Sequence, residues 1–139
     1  MNKQLFKLIK LAQKATKSNE VPVGAFIVYN NKILTKAYNN RRKKYNITGH
    51  AEIIVINKAC RKRRVRYLSD CDLYVTLKPC KMCQEVIREA KINRVYYLLD
   101  PLKEKENRYN TDIIYEKITD NSLLNKYKDI LSNFFKNKR

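Results

Sequence analysis

A chain of 139 residues with 31 Lys and Arg against 13 Asp and Glu carries a formal net charge of +18, so polyanions are attracted over a wide surface. That length makes one domain, residues 1–139, with room for one sizeable core and not two. No apolar run approaches a membrane span, which excludes a transmembrane-helix protein and predicts a soluble one. The many Asn, Ile and Tyr reflect an AT-rich codon bias that raises Lys without selection for any ligand, but clustered Arg is not explained that way.

In chain order, the segment before Glu20 has several lysines and no acid, a faint likeness to an organellar presequence. It lacks arginine, and Leu5, Leu8, Ile9, Ala12 and Ala15 fall on one helical face, so an amphipathic first helix is the better reading. Glu20-Val21-Pro22-Val23-Gly24 then turns the chain into an apolar run, Ala25 to Tyr29. A second run, Ile33 to Tyr38, follows Asn30-Asn31. Adjacent asparagines tolerate the positive φ of a tight hairpin, so these are two antiparallel strands.

Asn39 to Gly49 is a polar loop containing Arg41-Arg42-Lys43-Lys44. It feeds a helix predicted from His50 to Cys60, whose Ile53, Ile54 and Val55 give a thick apolar face. A second basic cluster, Arg61 to Arg66, follows; a charge run at a helix end also suits the helix dipole. Asp72 to Leu77 reads as a buried strand that Lys78-Pro79 stops. The next helix begins near Cys80, with Met82, Val86, Ile87 and Ala90 inward, and Arg94 to Leu99 is a fourth strand. Asp100 to Thr111 is charged loop, and a fifth strand lies within Asp112 to Thr119. Asp120, Asn121 or Ser122 caps a last helix with an apolar stripe of Leu123, Leu124, Tyr127, Leu131, Phe134 and Phe135. Strands alternating with helices predict an α/β fold, a three-layer α/β/α sandwich on a mixed five-stranded sheet.

The chemistry concentrates in His50-Ala51-Glu52 and Pro79-Cys80-Lys81-Met82-Cys83. The spacing H-x-E…P-C-x-x-C is the known signature of zinc deaminases. A lone C-x-x-C can also be a redox pair, and a lone histidine is more often structural than a ligand. Here His50 is the only histidine of the chain, and it opens a helix two residues before that helix's only acid. We therefore read His50, Cys80 and Cys83 as ligands of one Zn2+, with both cysteines at a helix N-terminus that favours thiolates. Three ligands leave a place for water, whose pKa such a site lowers to about 7. Glu52, a hard oxygen donor beside thiolates, is better suited to moving protons than to ligation. Cys60 and Cys71 read as buried apolar thiols; a four-cysteine structural site of Cys60, Cys71, Cys80 and Cys83 stays open as an alternative. A metal beside reduced thiols favours a cytoplasmic location over an oxidised secreted one.

Beyond that signature, Glu20-Val21-Pro22-Val23-Gly24-Ala25, Asn39, Leu73 to Leu77, and Leu131-Ser132 with Phe134-Phe135 make most of the chain resemble the bacterial tRNA-specific adenosine deaminases. These form one family of the cytidine-deaminase-like zinc superfamily. The resemblance implies conversion of adenosine to inosine at the wobble position of a tRNA anticodon loop, by a homodimer with one zinc per subunit. It implies substrate contacts at Asn39, which would hydrogen-bond the base edge, and at the backbone around Ala51 and Pro79. Arg41, Arg42, Arg63, Arg64 and Arg66, at the two ends of the zinc helix, are candidate RNA contacts, as are Phe135 and Arg139 in the aromatic-basic tail. The chain departs from the family at Lys78, where a glutamate is usual, and over Leu98 to Asn110, which has none of the family's glycines. Two other function classes fit the same motifs: a small-molecule deaminase acting on guanine, cytosine or a nucleoside, and a zinc-stapled RNA-binding module.

Overall fold

The computed structural model describes residues 2–101 and 112–137. In order these form α1 (Asn2–Lys17), β1 (Gly24–Tyr29), β2 (Lys32–Tyr38), α2 (Ala51–Arg63), β3 (Cys71–Leu77), α3 (Lys81–Glu89), β4 (Arg94–Leu99), β5 (Ile114–Lys117) and α4 (Asn121–Lys136). The expected elements are all present. α2 runs three residues past Cys60, because Arg64 at φ 56° turns left-handed and ends it. Much of the 98–110 segment, from 102 on, lies outside the described residues, as does Arg139.

The sheet order is β2-β1-β3-β4-β5. β1 is antiparallel to both β2 and β3, while β3, β4 and β5 run parallel. The hairpin turns at Asn30 and Asn31, with φ of 51° and 62°, the left-handed pair that a two-residue turn needs and that asparagine adopts at low cost.

Strand periodicity divides the core in two. On one face Ala25, Ile27, Leu73, Val75 and Val95 pack with Val55, Ile56 and Ala59 of α2 and Ile87 of α3. On the other, Phe26, Val28, Tyr74 and Leu98 pack with Leu5, Leu8, Ile9 and Ala12 of α1 and Leu123 and Tyr127 of α4. A sheet buried on both faces needs strands apolar at every position, which is why β1 reads Gly-Ala-Phe-Ile-Val-Tyr. Phe26, Tyr74 and Tyr96 stack across three strands at 5.1 and 4.5 Å between centroids. Gly24 lies against α1, where an added Cβ would meet Leu11 Cβ at 2.6 Å and the Leu8 carbonyl at 2.7 Å.

Strand directions decide where function collects. β1 begins, and β2, β3 and β4 end, at the same edge of the sheet. The Glu20–Val23 entry, Asn39, the Leu77–Cys80 exit and Pro101 therefore meet there. α4 braces this edge from behind: the buried Tyr127 hydroxyl donates to the Pro22 carbonyl at 2.8 Å. α4 is itself started by Asp120, whose side chain accepts the Leu123 N–H at 3.1 Å, a conventional N-cap.

Candidate metal centre and active site

His50 and Cys80 are the N-cap residues of α2 and α3, both with extended backbone, and Cys83 lies one turn into α3. The two helix starts converge. His50 Nδ1 is 3.5 Å from Cys83 Sγ and 3.7 Å from Cys80 Sγ, and the three donor atoms all lie within 4.8 Å of one another. Tetrahedral zinc with bonds of about 2.3 Å to sulfur and about 2.0 Å to nitrogen separates such donors by about 3.6 Å, so this group fits one ion. Both helix dipoles point their positive ends at the thiols. Hydrogen bonding from Cys83 and His50 holds the Cys80 thiol down to about 4, whereas Cys83, beneath it and buried, is pushed far up.

Among the described residues no fourth protein ligand joins this group. Cys71 opens β3 and Cys80 follows its end, a separation of about 20 Å at the rise of a strand, and Cys60 sits near the C-terminal end of α2. The four-cysteine alternative is thereby overturned. Cys60 and Cys71 are free thiols. Burial raises both, Cys71 to about 11.

Glu52 lies in the first turn of α2, 4% exposed, and burial raises its carboxyl to about 7 despite a bond to its own backbone N–H. A carboxyl poised there can both take and return a proton. It opens on a cavity of about 520 Å3 whose walls include Asn39, His50, Cys80 and Pro79. Asn39 Oδ1 accepts the Ala51 N–H at 2.7 Å, so its oxygen is engaged by the helix start and its N–H donors are left for a cavity ligand. Gln84, buried in α3, donates to the Pro79 carbonyl at 3.0 Å and sets the direction of that peptide.

Arg41 and Arg42 stand on the cavity rim. Arg64 and Arg66 are exposed at the far end of α2, and Phe135 is 55% exposed on the last turns of α4. Arg63 was also expected among the RNA contacts; its guanidinium forms paired bonds to Asp70 at 2.7 and 2.9 Å and lies 3.9 Å over the Tyr29 ring, so its fork is turned to a carboxylate of its own chain. Two residues of the site were not foreseen. Lys78 lines the cavity with its ammonium 5.1 Å from the Tyr97 ring centroid. Glu20, 2% exposed, accepts the backbone N–H groups of Arg42 and Lys43, each at 2.8 Å. An acid directly before an apolar turn was the one available signal for the latter.

Two helix starts that meet over a nitrogen and two sulfurs, at the end of a mixed sheet, mark the class of zinc-binding deaminase domains. Residues 2–99 match the family described as the cytidine and deoxycytidylate deaminase zinc-binding region. The chain is 36% identical over 137 residues to the tRNA-specific adenosine deaminase of Buchnera aphidicola subsp. Schizaphis graminum, covering 94% of this chain and 91% of that one. To the protein of the same name from Rickettsia bellii it is 50% identical over 91 residues, 64% of this chain and 63% of that protein's length. A solved structure from a study of A-to-I editing by tRNA:A34 deaminases superimposes with a TM-score of 0.81 at 28% identity, covering 93% of this chain and 99% of the other. The chain thus belongs to the cytidine and deoxycytidylate deaminase family and, within it, to the tRNA-specific adenosine deaminases.

Proposed function

We propose that the protein is a zinc-dependent hydrolase that converts adenosine to inosine at the wobble position of a tRNA anticodon loop. The observation that carries this reading is the buried Glu52 carboxyl on the wall of a cavity that His50, Cys80 and Asn39 also line, with Cys83 beneath completing the group of three donors. A site whose only task was to staple the chain would have no use for that carboxyl.

His50, Cys80 and Cys83 hold the zinc, which when bound supplies the Lewis acidity that lets water act as a nucleophile near neutral pH. Asn39 donates to an acceptor on the base edge, and the backbone at Ala51 and Pro79 borders the carbon under attack. Water adds its oxygen to that carbon and ammonia leaves. Glu52 takes the proton from water, passes it to the ring nitrogen, and takes part in protonating the departing amine. A target base in a loop must leave its stack to enter such a cavity. Arg41 and Arg42 at the rim, with Arg64 and Arg66 about one helix length away, hold RNA phosphates on either side.

The same reading takes residues 1–139 as a single deaminase domain, working as a homodimer in the cytoplasm; no helix among the described residues is long and apolar enough to cross a membrane. Incubating the zinc-loaded protein with an anticodon stem-loop, and in parallel with free bases and nucleosides, tests the substrate. Inosine in the RNA is expected. Ammonia from a free base with no inosine in any RNA would assign the site to a small-molecule deaminase, and sedimentation of the same sample reads the oligomeric state.

A further inference from the structure

Val21 and Val23 form part of the cavity wall, yet the bonds that fix this stretch come from the opposite face of the sheet. Tyr127 of α4 is fully buried, and its hydroxyl donates to the Pro22 carbonyl at 2.8 Å across 105 residues of chain. Two residues on, the Gly24 N–H donates to the Thr76 side-chain oxygen at 3.2 Å, just beyond Ala25 and Val75, where the β1–β3 pairing ends. Thr76 is fully buried as well. Burial pushes the Tyr127 phenol well up, and a hydrogen bond from Thr76 works against that push, so the phenol is a protonated donor at neutral pH. The two hydroxyls therefore grip the carbonyl before Val23 and the amide after it.

What they hold leads directly to the site. The Val23 carbonyl accepts the Asn39 N–H at 3.1 Å, and Asn39 Oδ1 in turn accepts the Ala51 N–H at 2.7 Å. The Val23 carbonyl and the Gly24 N–H belong to one planar peptide group. Thr76 thus fixes one end of that plane while Asn39 hangs from the other, and Tyr127 fixes the plane before it. We propose that Tyr127 and Thr76 are positioning residues for the deamination, their hydroxyls setting the Val23–Gly24 peptide and through it the aim of the Asn39 amide. Neither residue lines the cavity, so they act through Asn39 and not on the base. The inference rests on the reading of Asn39 as a donor to the base edge and names what holds that donor in place. A core tyrosine needs only some acceptor for its hydroxyl. Here the acceptor lies one peptide away from the group that carries Asn39, and a small error of aim at a reacting base is costly.

The test is a double-mutant cycle on the zinc-loaded protein with an anticodon stem-loop. Tyr127→Phe removes one hydroxyl and keeps the ring, so zinc content should be unchanged while kcat/KM falls about 3- to 10-fold, the size of one weakened hydrogen bond. In an Asn39→Asp background, where the donors are already gone, the same change should cost less than about 2-fold. Thr76→Val should behave as Tyr127→Phe does, and Thr76→Ser, which keeps the hydroxyl, should restore the parent rate. Equal losses in the two backgrounds, or full activity of Tyr127→Phe, would overturn the proposal and leave the phenol a core hydrogen bond. If the parent makes no inosine, the RNA reading alone fails, and the cycle is run on whichever free base or nucleoside releases ammonia, with the same deciding outcomes. Amide exchange reads the clamp without any substrate. The Asn39 and Ala51 N–H groups should exchange faster in Tyr127→Phe than in the parent, and unchanged exchange at both would overturn the clamp.

Discussion

Asn39 Oδ1 accepts the Ala51 backbone N–H at 2.7 Å, so the residue that leaves β2 also caps the first turn of the helix bearing His50 and Glu52. Its acceptor serves the fold, and its amide donors are left for the cavity. Asn39→Asp keeps the acceptor, at the positive end of a helix dipole, and removes the donors. We expect its unfolding midpoint to be retained while kcat/KM on an anticodon stem-loop falls about 10- to 100-fold. Asn39→Ala loses both halves and should cost about 1–2 kcal/mol of stability as well. Equal destabilisation by the two variants in urea titrations would show that the amide, and not the acceptor, holds the turn.

Glu52 and the metal group separate by function. Glu52→Gln preserves the shape of the buried side chain and leaves the three donor atoms in place, so zinc content and stability should be retained. The proton carrier is gone, and kcat should drop by at least about 100-fold. Loss of zinc together with activity in this variant would instead make Glu52 part of the metal's support.

The cysteines should fall into two classes toward alkylation. Cys80 is exposed and held down to about 4 by Cys83 and His50, so after chelation it is a thiolate at neutral pH and should react first with iodoacetamide. Zinc should protect it. Cys71, raised to about 11, should react slowly with or without metal, and Cys71→Ser and Cys60→Ser should keep one zinc per chain. Peptide mass spectrometry reads all four sites in one digest. A Cys60 or Cys71 whose labelling follows zinc occupancy would contradict the ligand set.

Arg63 and Arg41 make opposite predictions although both were candidates for RNA. The Arg63 guanidinium holds the Asp70 carboxyl below its usual range. A depressed carboxyl contributes stability above its unfolded pKa of about 3.9, and that contribution is lost as pH falls through the lower folded value. Asp70→Asn should therefore flatten the acid side of the stability curve below about pH 4. Arg63→Gln should leave the salt dependence of RNA binding unchanged. Arg41→Gln should lower its slope by about 0.7, the value of one single-strand phosphate contact.

Much of this site is readable in the sequence because it depends on local spacing. A histidine and a proline-led C-x-x-C, each just before an apolar helix, place their donors at helix starts whatever lies between them. The hairpin at Asn30-Asn31 and the cap at Asp120 are equally local. What stayed hidden depends on long-range partners. Nothing near Arg63 announces that Asp70 and the Tyr29 ring will claim it. Gln84 looks like a solvent residue of α3 until the Pro79 carbonyl is found beneath it, and Phe135, placed by periodicity on the apolar stripe of α4, is exposed because the stripe narrows to Leu123 and Tyr127 at the start of that helix.

Glu20 is the clearest case of such a long-range role, and it carries the last prediction. Its two carboxylate oxygens take the N–H groups of Arg42 and Lys43 at 2.8 Å each, 22 and 23 residues away in the chain. The carboxyl is buried, so these bonds are made in place of water and removing either leaves a donor without its acceptor. Glu20→Gln keeps the volume but turns an NH2 group toward one of the two N–H groups, at a cost of about 1–3 kcal/mol. The cost should appear locally. Amide hydrogen exchange at Arg42 and Lys43 should speed up in Glu20→Gln, while amides of β1 and β3 keep their protection. Because this loop sets Arg41 and Arg42 at the cavity rim, KM for an anticodon stem-loop should rise more than kcat falls, and zinc content should not change. Unchanged exchange at Arg42 and Lys43 would mean that the loop keeps its shape without the carboxylate, and Glu20 would then be no more than a buried acid satisfied by convenient amides.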